Sequence, residues 1–448
     1  IKLIFRNKFF YLLYSFIWLS REILFSLPFA LTKTSQVKNF NPKITFVTYL
    51  TEKEKKINMS YWGPLPDYID KNKVPSNWIY LPNRKIGFIK NFLIFKKRNM
   101  QSYDHNNYIS ISSFFGLKVL KEIINNFWIV FSSSKDIVSS IKIESSFYWD
   151  LIKNDLMKSL YGKEMMNELF YFSLFERMSK ELPNTDNLIY LYENQPWELA
   201  LSYFFNKKTK NIYGFAHSTI RYWDIRYYNS PNIFKKNSEF LYPFFSKLIV
   251  HGKNDLQNMS KFGFPNNKIK LAESLRYIYL KKYLSLSSEQ RDINTFLVFG
   301  DYLRSDTKFI IDLLTTEIVK KALENFKIIF KPHPHCPVKL KEFKGLNVEI
   351  DFSNPGKLIN KFDLVLTGNV SSVASEVITL GKKLICAKDL SRLDMSPLRG
   401  IKDISFAYDA DSFLNEFRKK ISDNEDRYQD NIFNLDTNLS LWRSILNI

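Results

Sequence analysis

Short β-branched or aromatic runs alternate with stretches of helical period along most of the chain. In the first half, runs at 44–50 (ITFVTYL), 77–82, 187–193 (NLIYLYE), 211–217 and 247–252 predict strands. Between 115 and 182 the apolar spacing lengthens to the helical period, and Pro183 closes that stretch. A polar, unperiodic segment at 281–294 reads as a linker. Beyond it the alternation is cleaner, with strands at 295–300, 326–331, 347–351, 362–368, 382–387 and 403–408 and helices over about 306–325 and 371–380. Strands separated by helices of this size imply parallel sheets covered on both faces. At 448 residues the chain exceeds one ordinary core. The expected fold is therefore α/β, two Rossmann-like domains facing a cleft. Residues 1–284 and 285–430 form the domains, and 431–448 a C-terminal helix returning toward the first.

In parallel sheets, ligands gather at the carboxyl ends of strands. Four of the five histidines fall there: His217 and His251 each end a strand, and His333 and His335 follow 326–331 in the proline-broken segment KPHPHCP. Only His105 lies elsewhere. In LTGNVSSVASEVITLGKKLI (366–385) a strand runs into Gly368 and Asn369, and Ser371 and Ser372 open an amphipathic helix. Free N–H groups, a positive dipole and two hydroxyls suit a phosphate. Glu376, one turn deeper, is placed to reach ribose hydroxyls. The plain alternative makes the serines ordinary caps and Glu376 a solvated helix residue. Lys331 and His333 bring a cationic or neutral donor on a second loop, and Gly300 ends the strand 295–300 of the same expected nucleotide site. A departing nucleotide needs such groups, because its phosphate gains charge as the glycosidic bond breaks.

Net charge is +20, dispersed in short pieces such as FKKRN (95–99). No DNA-binding motif, zinc-finger spacing or RNP signature accompanies it, so no nucleic-acid partner is expected. A solvated face or an anionic membrane surface accounts for the charge. In the aromatic and basic opening stretch, Arg21 and Glu22 interrupt the apolar run before about 18 residues accumulate. Two readings fit it equally: a helix lying in the headgroup layer, or an internal helix packed on a sheet. Cys336 and Cys386 form no disulfide framework, which fits a reducing cytoplasm.

KPHPH, followed about thirty-five residues later by GNVSSVASEVITLGKKLI, resembles the histidine–proline and serine–serine motifs of bacterial GT-B glycosyltransferases. Enzymes using CMP-activated sialic acid or Kdo are the nearest likeness, and polymerases using CDP-glycerol have a similar layout. In those families the motif residues grip the nucleotide phosphate. The resemblance implies that role for His333, Ser371 and Ser372, with Glu376 near the ribose. YWGPLPDYI (61–69), YLYENQPWELALSYFF (190–205) and GFAHSTIRYWDIRYY (214–228) resemble a family of bacterial surface-carbohydrate biosynthesis proteins. What that family does chemically is less well defined.

An acceptor hydroxyl needs a general base opposite the nucleotide. Glu193, His217 and Asp224 are eligible, with Glu193 ranked first and His217 second. Arg221 and Arg226 suit a sugar carboxylate, which arginine binds bidentately. The plain alternatives are a structural bond to backbone for Glu193 and surface ion pairs for the arginines. The Asp-Asp-Gly segment usual in sialyltransferases of this architecture is absent, so the base does not carry over by resemblance. The DAD at 409–411 reads as helix capping rather than a manganese site. His333 and His335 lack the further ligands a metal needs. No cofactor and no metal are expected.

The resulting expectation is a cytoplasmic glycosyltransferase, lying at the inner face of the membrane if the opening helix is an anchor. Its second half takes a nucleotide-sugar donor, a CMP-linked ulosonic acid, and its first half a glycan or glycolipid acceptor. The rivals are a CDP-polyol phosphotransferase of the same architecture, a metal-dependent hydrolase, and a non-catalytic membrane or assembly protein.

Overall fold

The computed structural model describes residues 2–32, 41–51, 59–83, 86–99, 105–144, 146–227, 245–284, 294–401, 404–422 and 432–448. Most of the expected linker (285–293), and position 403 of the last expected strand, lie outside the described residues.

Seven strands build the first sheet: β1 (Ile44–Tyr49), β2 (Ser76–Leu81), β3 (Asn106–Ser110), β4 (Thr185–Leu191), β5 (Thr209–Phe215), β6 (Lys247–Val250) and β7 (Ile269–Leu271). Their spatial order is β3-β2-β1-β4-β5-β6-β7, all parallel. Six more build the second: β8 (Thr295–Phe299), β9 (Lys327–Lys331), β10 (Val348–Ile350), β11 (Leu364–Gly368), β12 (Lys383–Ala387) and β13 (Ser405–Ala407). These run β10-β9-β8-β11-β12-β13, again all parallel. Each sheet steps outward one way and then reverses, so each has a switch point where neighbouring loops diverge and open a crevice. In the first sheet it lies between β1 and β4, in the second between β8 and β11.

Strands β3 and β7 escape the apolar pattern. β3 opens on Asn106 and Asn107, whose buried amides are satisfied sideways; Asn107 Nδ2 donates to Asn77 Oδ1 at 3.0 Å. β7 is only three residues long. Central strands such as β1 and β2 are buried on both faces, as parallel sheets require. Apolar clusters cover both faces of each sheet.

Between β3 and β4 the chain inserts three helices, Leu117–Glu144, Trp149–Tyr161 and Lys163–Glu181. The last stops where Pro183 forces Leu182 into an extended conformation (φ −80°, ψ 144°). The opening helix, Lys2–Leu31, packs one face onto the first domain through Ser15, Leu19, Glu22, Phe25 and Phe29. The C-terminal helix Ser440–Leu446 also docks there. Trp442 meets Phe215 ring to edge at 5.1 Å, and Glu273 accepts from the N–H groups of Leu441 and Trp442 at 2.7 and 2.9 Å. A buried carboxylate thus caps a helix whose first N–H groups would otherwise lack partners.

Candidate active site

At the second switch point three loops meet. A side chain at Gly300, just after β8, would press on the Phe330 ring at 3.2 Å and on the His333 backbone nitrogen at 3.5 Å. At Gly368, the end of β11, a Cβ would lie 2.3 Å from the Asp301 carboxylate. Glycine at these two positions lets the loops after β8, β9 and β11 sit against one another. His333 and Ser371 therefore share one rim of the sheet, separated by the β8 loop.

His333 closes a turn in which Cys336 N–H donates to its carbonyl at 2.8 Å. The His335 N–H donates to His333 Nδ1 at 3.1 Å, so the neutral ring carries its proton on Nε2. Burial, then His335 and Lys331, lower its pKa, which keeps it a neutral donor at pH 7. Tyr302 sets an edge-on ring between the two imidazoles, at 5.3 Å from His333 and 5.6 Å from His335. Lys331 is half-buried, and that burial lowers its pKa. The hydroxyls of Ser371 and Ser372 have no hydrogen-bond partner among the described residues. Glu376 is no solvated helix residue: it is buried, it accepts from the Tyr279 hydroxyl, and burial pushes its carboxyl up to about 7.

The first sheet's rim is built from ionisable side chains. Glu193 lies just past β4, and its carboxylate stands 3.3 Å from His217 Nε2. Burial drives the His217 pKa down to about 3, helped by Arg276, His251 and Arg226. The contact is therefore a neutral imidazole N–H facing a carboxylate rather than an ion pair. Glu193 in turn has its pKa raised by burial, against the pull of Arg226 and Arg276.

The motifs of the first half explain this placement. In ENQPWE, Glu198 folds back so that Oε1 accepts from the Glu193 and Gln195 N–H groups at 2.8 and 3.0 Å, while Asn194 takes a left-handed φ of 56°. This capping box starts the helix Pro196–Phe205 and fixes the turn that presents Glu193. In YWGPLP, Tyr61 sets its ring edge-on to His217 at 5.0 Å. Gly63, at φ +50°, passes so close to the Leu275 carbonyl that a Cβ would sit 2.1 Å from its oxygen.

Asp224 and Arg226 hold each other bidentately, Nε to Oδ1 at 2.7 Å and Nη2 to Oδ2 at 2.5 Å. This pair braces the loop, and Tyr192 and Tyr227 tie it back to the β4 turn. Neither Asp224 as a base nor Arg226 as a carboxylate ligand is open in this arrangement. Arg221 is engaged across the cleft instead, its Nε donating to the Val370 carbonyl in the second domain at 3.0 Å. Arg399 of that domain lies over the Tyr222 ring at 3.7 Å. Tyr228, which ends this motif, lies outside the described residues.

The two rims thus face each other. Arg276 connects them electrostatically, favouring the charged forms of Glu193 in the first domain and Glu376 in the second. Sequence reasoning did not single out Arg276, Asp301, Tyr279 or Glu198. The Gln195-x-x-Glu198 spacing was a readable capping signal; an isolated exposed arginine such as Arg276 gives none. Asp409 caps the helix Ala410–Ser422 by accepting from Ser412 N–H at 2.8 Å, so the DAD segment is structural.

No family model matches the chain, and no curated protein matches it by sequence. Among solved structures, the UDP-GlcNAc 2-epimerase of Methanocaldococcus jannaschii overlays with a TM-score of 0.51 at 14% identity, covering 90% of this chain and 99% of its own. The Neisseria meningitidis UDP-GlcNAc 2-epimerase bound to UDP-GlcNAc gives 0.47 at 10% identity, covering 90% and 99%. The glycotransferase of kitacinnamycin gives 0.45 at 9% identity, covering 86% and 92%. The first likeness agrees with the strand orders: two Rossmann-like domains facing a cleft, in the GT-B arrangement.

Proposed function

We propose that this chain is a GT-B type glycosyltransferase acting on a nucleotide-activated sugar. The observation that carries the reading is convergence. Tyr61, Glu193 and His217, from three motifs within residues 61 to 227, meet on one rim; Arg221 of that rim reaches the loop that carries Ser371, and His333 stands on the neighbouring loop against Gly300.

The second rim takes the nucleotide. His333 Nε2–H and the two unpartnered serine hydroxyls donate to phosphate oxygens, Lys331 adds positive charge, and Gly300 leaves room for close approach. Glu376, buried and held by the Tyr279 hydroxyl, is not open to the ribose in this arrangement and instead anchors the helix that follows the serines. On the first rim Glu193 is the base, with His217 holding its carboxylate in place. The acceptor O–H gives its proton to Glu193 and the oxygen bonds to the anomeric carbon. The bond to the donor phosphate breaks, and its electron pair leaves with the nucleotide. Donors aimed at that phosphate stabilise the transition state more than the ground state.

The donor we favour is a CMP-linked ulosonic acid, with a cell-surface glycan or glycolipid as acceptor. With Arg226 bound to Asp224, its carboxylate falls to Arg276, which is exposed and makes no hydrogen bond or ion pair among the described residues. Two free cysteines fit a cytoplasmic setting. A thermal-shift screen against CMP, CDP, UDP and GDP tests the donor, since a ligand of the folded state raises its melting point. CMP is expected to stabilise most. Preference for UDP moves the donor to a UDP-sugar, and conversion of that sugar without any acceptor replaces transfer by epimerisation. No stabilisation by any nucleotide sinks the reading.

A further inference from the structure

The opening helix is apolar on two opposite sides. Ser15, Leu19, Glu22, Phe25 and Phe29 are buried in the first domain, while Phe10, Leu13, Ile17, Leu24, Leu27 and Leu31 form an outward stripe at the same three-and-four spacing. Leu24 is 66% exposed and Leu31 83%. A helix apolar all round is normally enclosed; here half of the enclosure is missing.

Two neighbouring helices packed against it carry exposed apolar side chains of their own. Phe16 meets Phe127 at 5.1 Å, joining the opening helix to Leu117–Glu144, on which Leu117, Ile124 and Trp128 are exposed. Near its other end, Phe29 meets Phe92 at 5.3 Å, joining it to Phe88–Asn99, where Phe88, Ile89 and Leu93 are exposed. Exposed large apolar side chains in this number on three packed helices mark an interaction surface.

Charge identifies the occupant. These three helices carry twelve Lys and Arg against four Asp and Glu, and Phe88–Asn99 has no acid at all. Large aromatic and leucine side chains beside lysines match the boundary between anionic headgroups and acyl chains. Residues Lys8–Leu31 are long and apolar enough to cross a bilayer, yet the packed inner face, with Glu22 buried in it, holds the helix on the domain. We infer that this surface lies flat on an anionic phospholipid bilayer, inserting its leucines and Trp128 while the lysines meet the phosphates. This inference stands independently of the proposed chemistry.

The test is sedimentation of the full chain with vesicles of mixed phosphatidylglycerol and phosphatidylcholine, against pure phosphatidylcholine. Expected are partition into the anionic vesicles, its weakening in high salt, and a blue shift of tryptophan emission that Trp128→Phe removes. The double variant Leu24→Asp, Leu27→Asp should lose at least about tenfold in partition. Its melting point and nucleotide-induced thermal shift should be unchanged, which separates failure of this surface from failure of the proposed function. Equal partition into both vesicle types, none into either, or full binding by the double variant overturns the inference. So does a dimer that the same variant dissociates, because a second copy then covers the patch.

Discussion

At the rim of the second sheet, the candidate groups are glycines, serine hydroxyls, backbone N–H groups and one half-buried neutral histidine. At the rim of the first, built on the same strand order, they are a carboxylate, buried histidines and arginines. The second rim can surround an anion with dipoles without losing much hydration, because Ser372, Lys331 and His333 keep partial access to water. On the first rim Glu193 also keeps partial access and Arg276 is exposed, and it is the two histidines that leave water. His217 and His251 are buried, and burial drives the pKa of each down to about 3. One topology thus carries two kinds of rim, and under the proposed function they divide the holding of charge from the moving of a proton.

The largest effect expected from that division is on Glu193→Gln. Turnover should fall by about a hundred- to ten-thousand-fold while the nucleotide-induced thermal shift stays unchanged. In the parent chain, the proposed base has its pKa raised by burial and must lose its proton before it acts. The acid limb of the rate profile should therefore be displaced upward from the ordinary glutamate value, and a loss of nucleotide binding in the variant would erase the distinction between rims.

A smaller effect is expected on the other side. His333→Ala removes one donor to phosphate, a loss of about 1.5–3 kcal/mol, seen as about ten- to a hundredfold weaker nucleotide binding by calorimetry. Because this ring is a neutral donor, the difference should be flat between pH 7 and 8.

The smallest effect sharpens the contrast in burial. His251 is caged by Phe215, Tyr277 and Phe433. Its folded pKa, about 3, lies below the ordinary 6.5, so its contribution to stability is complete above pH 6.5 and is lost progressively as pH falls toward 3. His251→Phe should flatten the decline in melting point below pH 6.5 by a few degrees, leaving the value at pH 8 little changed.

Much of this was legible in the chain. The runs 295–300, 326–331 and 382–387 marked strands β8, β9 and β12 to within a residue or two, because a parallel strand buried on both faces must be apolar throughout. The histidines' position at strand ends followed from the same runs. Other features were hidden. β3 begins with asparagines whose partners are Ser76 and Asn77 on β2 and Asp70 on the helix before it, and β7 is too short to carry a period. Asp224 and Arg226 looked like a base and a carboxylate ligand, but they stand two residues apart in a turn that closes them on each other.

The sequence alone determined two parallel α/β halves and that most histidines stand just past strand ends, since periodicity and chain-breaking residues act over a few neighbouring positions. Only the tertiary structure decided the partners: Arg221 on Val370, Tyr279 on Glu376, Arg276 between both rims, and the outward stripe of the opening helix left bare. Pairing and burial depend on elements tens to hundreds of residues away, and the cost of desolvating a charge exists only once those elements have closed around it.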